Sequence, residues 1–357
     1  MNTVNPSRLL LHSALGKSQV KVRRTCLCLV AVLPITLVCL VGCKKSWPFL
    51  ADRYAKIPAD AVKGTPATDP FPPILVSSDF DEPVPMPGPV NTAGGEDSPF
   101  ISPDGTEFFF FFTPDVRVPA EQQILDSVTG IWYSRLEGGT WAEPVRVVLN
   151  NDVALDGCEQ LVGDTLWFAS IRSNDILGNI DVFTAVRKNG EWTDWRNAGA
   201  QLNVEYNIGE FHLTSDHRTM YFGTAETGDS LWVGYDLWEM ERNANGWDAP
   251  VRLGANINDS LSQSQPFVSS DMRELWYTGW CDTIMGPCIY RSLADSAGNW
   301  QDPEQIVVRF AGEPTLDDAG NLYFVHHYYT GGQHCQTGAA EANSTMLEAD
   351  IYLCRRK

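Results

Sequence analysis

From residue 79 onward the chain repeats one pattern of short apolar runs separated by polar turns. Its clearest copy opens with Ser98-Pro99-Phe100-Ile101, turns at Ser102-Pro103-Asp104-Gly105 and enters the aromatic run Phe108 to Phe112. Gly130-Ile131-Trp132-Tyr133 follows, and a further turn leads into Trp141-Ala142-Glu143-Pro144-Val145. These blocks have strand length and are bounded by Gly, Pro, Asp and Ser, so the pattern predicts about four short strands per copy. The run Phe108 to Phe112 does not alternate, which predicts a strand covered on both faces.

The same elements return from Glu159, Glu210, Gln265 and Glu313, with Trp141, Trp192, Trp247 and Trp300 marking the outer strand of each complete copy. A period of roughly 50 residues with about four strands per unit is that of a β-propeller blade. The fifth copy reaches Lys357 without an outer strand, whereas Phe80-Asp81-Glu82-Pro83-Val84, before the first copy, matches Trp141 to Val145. The expected fold is therefore all-β: a five-bladed β-propeller over residues 79–357 with velcro closure, the N-terminal strand completing the last blade. The four repeated Trp residues and Phe80 are expected to pack between blades.

The first 43 residues differ in kind. A basic stretch (Lys17, Lys21, Arg23, Arg24) precedes an apolar run from Cys26 to Val41, the arrangement of an export signal. Leu40-Val41-Gly42-Cys43 resembles a bacterial lipobox, which makes Cys43 the lipidated residue and sets the protein on the extracytoplasmic side of the envelope. The alternative is a plain membrane anchor, for which this run is short. Residues 44–78 are proline-rich and without periodicity, and are expected to be an extended tether. The net charge of −19 becomes more negative once the basic leader is removed, which argues against nucleic acid and anionic headgroups as direct partners.

Of nine cysteines, four lie at or before Cys43. Cys281 and Cys288 flank a short loop, where a disulfide is expected in an oxidising compartment. Cys335 and Cys354 form a second candidate pair, which leaves Cys158 as a small core residue.

Function is sought where the copies agree in position without structural need. Ser98, Glu159, Glu210, Gln265 and Glu313 open the innermost strands, so the repeat symmetry predicts one polar ring at the mouth of a central channel. Carboxylates sharing such a ring repel. They are expected to have raised pKa values, or to hold a cation such as calcium or a polyhydroxy ligand. The structural alternative is that they cap backbone amides or hold channel waters. Asp97 and Asp156 lie beside them, and His212 follows Glu210 by two. His212, His326 and His327 lack the spacing of a metal set, so no metal site and no resident cofactor are predicted.

Ser102-Pro103-Asp104-Gly105, Ser215-Asp216 and Ser270-Asp271, each before an aromatic strand, resemble the TolB-type, WD-like β-propeller repeat family. The resemblance covers residues 79–357; the second and fifth copies depart from it at Gly163-Asp164 and Asp318-Ala319-Gly320. It implies a scaffold or binding module of the bacterial envelope, with structural turn residues. Two function classes follow. The first is a lipid-anchored binding module whose partner is an envelope protein or a glycan. The second is a glycoside hydrolase using Asp97, Glu159 and Glu210 as acid, base or nucleophile, by analogy with sugar-cleaving propellers.

Overall fold

The computed structural model describes residues 52–149, 154–172, 177, 180–206, 208, 210–225, 235–280, 286–331 and 344–357. Cys43, Cys281, Cys335 and the apolar leader lie outside these, as does the expected Cys281–Cys288 bridge. Among the described residues no helix is long and apolar enough to cross a membrane.

The fold is all-β, built from successive antiparallel meanders, the last joined to the first by a parallel bridge between Ala349 and Gly95. A four-residue helix (Arg53–Lys56) and the short strands β1 (Ile74–Leu75) and β2 (Val84–Pro85) come first. β3 (Gly95–Ile101), β4 (Glu107–Thr113) and β5 (Gly130–Glu137) then form a meander, edged by β6 (Thr140–Trp141) and β7 (Val145–Arg146). β8 (Ala154–Val162), β9 (Thr165–Arg172), β10 (Asp181–Lys188) and β11 (Glu191–Asn197) form the next sheet. It is followed by β12 (Phe211–Leu213), β13 (Thr219–Ala225) and β14 (Tyr235–Asn243), with β15 (Gly246–Trp247) and β16 (Val251–Arg252) outside. β17 (Gln263–Val268), β18 (Glu274–Gly279), β19 (Cys288–Leu293) and β20 (Glu304–Val308) come next, and β21 (Ala311–Leu316), β22 (Leu322–Tyr329) and β23 (Met346–Cys354) end the chain. The first strands β3, β8, β12, β17 and β21 touch in that order, and β21 touches β3.

The strand before the first repeat pairs with the last sheet. Val84 lies opposite Leu353 and Pro85 opposite Tyr352, with a further bridge from Phe80 to Arg356. Phe80 is fully buried and meets Trp276 edge-on at 5.9 Å. Trp192 likewise reaches Phe109 of the preceding sheet at 6.2 Å, and Trp300 reaches Tyr221 at 6.2 Å. These rings therefore fill the gaps between sheets. Phe108, Phe110 and Phe112 enter one apolar cluster and Phe109 another, so the run from Phe108 is covered on both faces. Cys354 is buried with a free thiol and Cys158 is also free; the expected pairing of Cys354 with Cys335 lies outside the described residues.

The expected tether is corrected over its described part. Residues 52–78 are held against the sheets instead of standing away from them. β1 adds a fifth strand to β20, with Ile74 opposite Val308. Arg53 is buried with its guanidinium 5.5 Å from the Phe112 ring and 5.6 Å from that of Trp132. Its Nη1 donates to the Val90 carbonyl at 3.2 Å. The Lys63 ammonium pairs with Glu348 and Asp350 of β23. His326 Nε2 meets Asp69 Oδ2 at 2.7 Å, with both side chains closed to solvent. An apolar pattern is not needed to dock a segment when single charged groups find buried partners.

Candidate functional site: a bulged polar ring

Each first strand but the short β12 carries an irregularity at one step. Pairing slips between Asp97 and Phe100, Gly157 and Gln160, Ser264 and Phe267, and Gly312 and Thr315. Two residues there oppose one, which is a β-bulge, and a bulge re-aims a side chain. Its first residue has positive φ in all four strands: Ser98 (46°), Cys158 (52°), Gln265 (54°) and Glu313 (55°). In the third sheet Glu210 occupies the same step, its carbonyl accepting from Gly223 N at 3.0 Å.

These residues meet. Gln265 Nε2 donates to Glu210 Oε1 at 3.2 Å and to Glu313 Oε1 at 2.7 Å. Glu313 also reaches the Ser98 and Asp97 side chains. Its backbone N donates to Thr278 Oγ1 at 2.8 Å, which fixes the bulge. His327 Nε2 stands 3.9 Å from Asp97 Oδ1. Burial pushes Glu210 up to about 7, helped by the Asp97 charge and opposed by the Gln265 amide. Burial raises Glu313 well above the usual carboxyl range, and the charges of Asp97 and Glu210 add to the effect. The His327 imidazole is lowered by burial, against the pull of Asp97. Glu210 and Glu313 nevertheless keep part of their surface open to solvent.

Four of the five expected ring residues are thus brought together: Ser98, Glu210, Gln265 and Glu313. The fifth is corrected. Cys158 holds the ring position in the second sheet, and its thiol is raised by burial and by Glu210 and Glu313. Glu159 is the second bulge residue, where the other bulged strands have Pro99, Pro266 and Pro314 and the third copy has Phe211. It is buried with both carboxylate oxygens lacking a hydrogen-bond partner, and burial raises it well above its ordinary value despite the nearby charge of Arg146. Arg146 itself donates to the carbonyls of Ile131, Val147 and Thr129, and its guanidinium fills the space that a side chain at Gly130 would take. Asp97 belongs to the ring, so the proposed trio Asp97, Glu159 and Glu210 is split by the register. Asp156 is buried in a structural pairing with Ser170 at 2.6 Å and Arg172 at 2.8 Å. Among the described residues no group of three or more His, Cys, Asp or Glu is arranged to hold a metal.

A cavity lies at the opposite end of the first strands, by the turns. It encloses about 640 Å³ and is lined by Phe100, Gln160, His212 and Phe267, two steps past the ring residues. His212 therefore does not join Glu210. Its ring packs on Phe267 at 4.6 Å, and burial lowers its pKa to about 3. The sequence carried a signal for this second site, since the position two residues after each ring residue also recurs.

Neither a protein-family model nor a curated protein matches the sequence. Solved structures similar to the chain include a thermostable family-43 glycoside hydrolase, at 13% identity over 75% of this chain and 91% of that one, with a TM-score of 0.45. An endo-arabinase from Bacteroides thetaiotaomicron is similar at 12% identity over 75% and 96%, with a TM-score of 0.45. A putative TolB from Agrobacterium tumefaciens is similar at 13% identity over 74% and 91%, with a TM-score of 0.42.

Proposed function

We propose that the chain is a five-bladed β-propeller of the TolB-like repeat type, closed by its N-terminal strand and lipid-anchored through Cys43 in the bacterial envelope. In this reading its polar ring binds a glycan. The order of contacts among β3, β8, β12, β17 and β21 supports a closed ring of blades. The observation that carries the function is the Gln265 amide shared between Glu210 and Glu313, beside Ser98. Burial and the neighbouring charges favour the protonated forms of Glu210 and Glu313, so the ring offers hydroxyl, amide and carboxyl groups that can donate as well as accept. Sugar hydroxyls need that mixture, whereas a ring of full charges would demand a cation. The full chain, purified in detergent, is to be titrated calorimetrically with soluble oligosaccharides of the cell wall and of plant polysaccharides. Binding by the wild type that is lost in Q265A is the expected result; equal binding by both proteins would move the site elsewhere.

One observation favours hydrolysis as a second reading. Bridging by a single amide keeps Glu210 and Glu313 within about 6 Å, near the separation of about 5–5.5 Å used by retaining glycosidases. Release of reducing sugar by the wild type and its loss in both E210Q and E313Q would establish it.

A further inference from the structure

The cavity at the turn end is independent of the polar ring. Its deep wall is largely apolar: Phe100 and Phe267 are less than a tenth exposed, as are Gln160 and His212. The two polar members are already satisfied, because Gln160 Nε2 donates to the Leu213 carbonyl at 2.7 Å and Leu213 N donates back to Gln160 Oε1 at 2.7 Å. His212 carries no charge at neutral pH, since burial holds its pKa near 3.

The rim has the opposite character. Asp104, Asp271, Asp317 and Asp318 line it and form no ion pair among the described residues. The two lining cations are already taken: Arg187 Nη1 pairs with Glu107 at 2.6 Å, and Arg356 Nη2 with Glu274 at 3.0 Å. Asp104 stays ionised well below neutrality because the Ser102 hydroxyl and neighbouring groups donate to it. The rim is also built as one piece. Ser215 Oγ donates to the Ser270 carbonyl at 3.2 Å, the Ser270 hydroxyl donates to Asp318, and Asp318 N donates to the Pro103 carbonyl at 2.7 Å. Four sheets are thereby tied around one opening, so little ordering is needed when a ligand enters.

We infer that this cavity binds an ammonium or guanidinium group carried on an apolar body, the body entering between Phe100 and Phe267 and the cation remaining at the aspartate rim. A volume of 640 Å³ suits a ligand of that size. Anions are opposed by the rim, and a neutral apolar molecule would forgo the charge attraction. Both a free amine and a basic side chain of a peptide present this chemistry.

The test uses the full chain in detergent, titrated with 4-phenylbutylamine, 4-phenylbutanol and 4-phenylbutyrate, and separately with the peptides acetyl-Phe-Lys-Phe-amide and acetyl-Phe-norleucine-Phe-amide. The amine is expected to bind at least tenfold more tightly than the alcohol, the anion not to bind, and affinity to fall as salt rises. If the Lys peptide outbinds the amine, the source is a polypeptide; the reverse order identifies a free amine. D318N and A319W alter exposed rim residues outside the packed core, the first removing charge and the second closing the opening; each should lower amine affinity at least about fivefold with an unchanged unfolding midpoint. E210Q, at the other end, should leave it unaltered. Equal binding of amine, alcohol and anion, or no binding of any probe at millimolar concentration, would overturn the inference.

Discussion

Replacing Glu210 by Gln tests the electrostatics of the ring directly. Burial holds the Glu210 carboxyl near 7 in the folded protein, against 4.5 in an ordinary setting. The sign follows from proton counting. Between those values the folded chain keeps a proton that the unfolded chain has released, so stability falls as pH rises from about 4.5 to about 7. Below that window both states are protonated and no penalty exists; above it the penalty is complete. A shift of that size has a ceiling of about 3 kcal/mol, which the partial solvent access of the side chain reduces to about 1–2 kcal/mol. Gln is neutral throughout and retains an oxygen to accept from the Gln265 amide. E210Q is therefore expected to be more stable than the wild type by about 1–2 kcal/mol at pH 8 and equal to it at pH 4. Urea unfolding followed by tryptophan fluorescence at pH 4, 6 and 8 measures this. A loss of stability at pH 8, or the same gain at pH 4 and pH 8, would refute the reasoning and make Glu210 a structural carboxylate.

Two further outcomes are expected. K63M removes the cation that Glu348 and Asp350 share, and Glu348 is already pushed up to about 7 by burial and the Asp350 charge. The loss should be about 2 kcal/mol at pH 8, smaller at pH 5 where the carboxyls take up protons, with protease cleavage appearing within residues 52–78. The Cys158 thiol, raised by burial and the ring acids, should react with iodoacetamide at pH 7.5 at least tenfold more slowly than free cysteine. Quantitative mass spectrometry of the alkylated peptide decides it.

The sheets were legible because each copy repeats its aromatic strand and its turn, and because the outer Trp has the same neighbour to fill in each copy. The docking of residues 52–78 was not. It depends on Arg53, Lys63 and Asp69, whose partners lie as far as 287 residues away and follow no period. The ring was legible in four positions and missed in one for a definite reason. Matching by residue type aligned Glu159 with the other acids, whereas the register aligns Cys158 with them. A bulge admits an extra residue, so chemical likeness and position separate by one step.

That bulge also explains how one strand serves two ends of the fold. In a regular strand, alternate residues share a face. The extra residue turns Ser98, Cys158, Gln265 and Glu313 toward one another, and the strand then resumes its pairing, which brings Phe100, Gln160 and Phe267 to the cavity at the turns. Positive φ costs a residue with a Cβ roughly 1–2 kcal/mol, and glycine would avoid that cost. Yet Ser98, Cys158, Gln265 and Glu313 all carry a Cβ there, and three of the four end in a hydrogen-bonding group that meets another of the same set. Strain repeated at one step, with side chains that connect across the sheets, is accounted for by what those side chains do together and not by the bend, which glycine would make more cheaply.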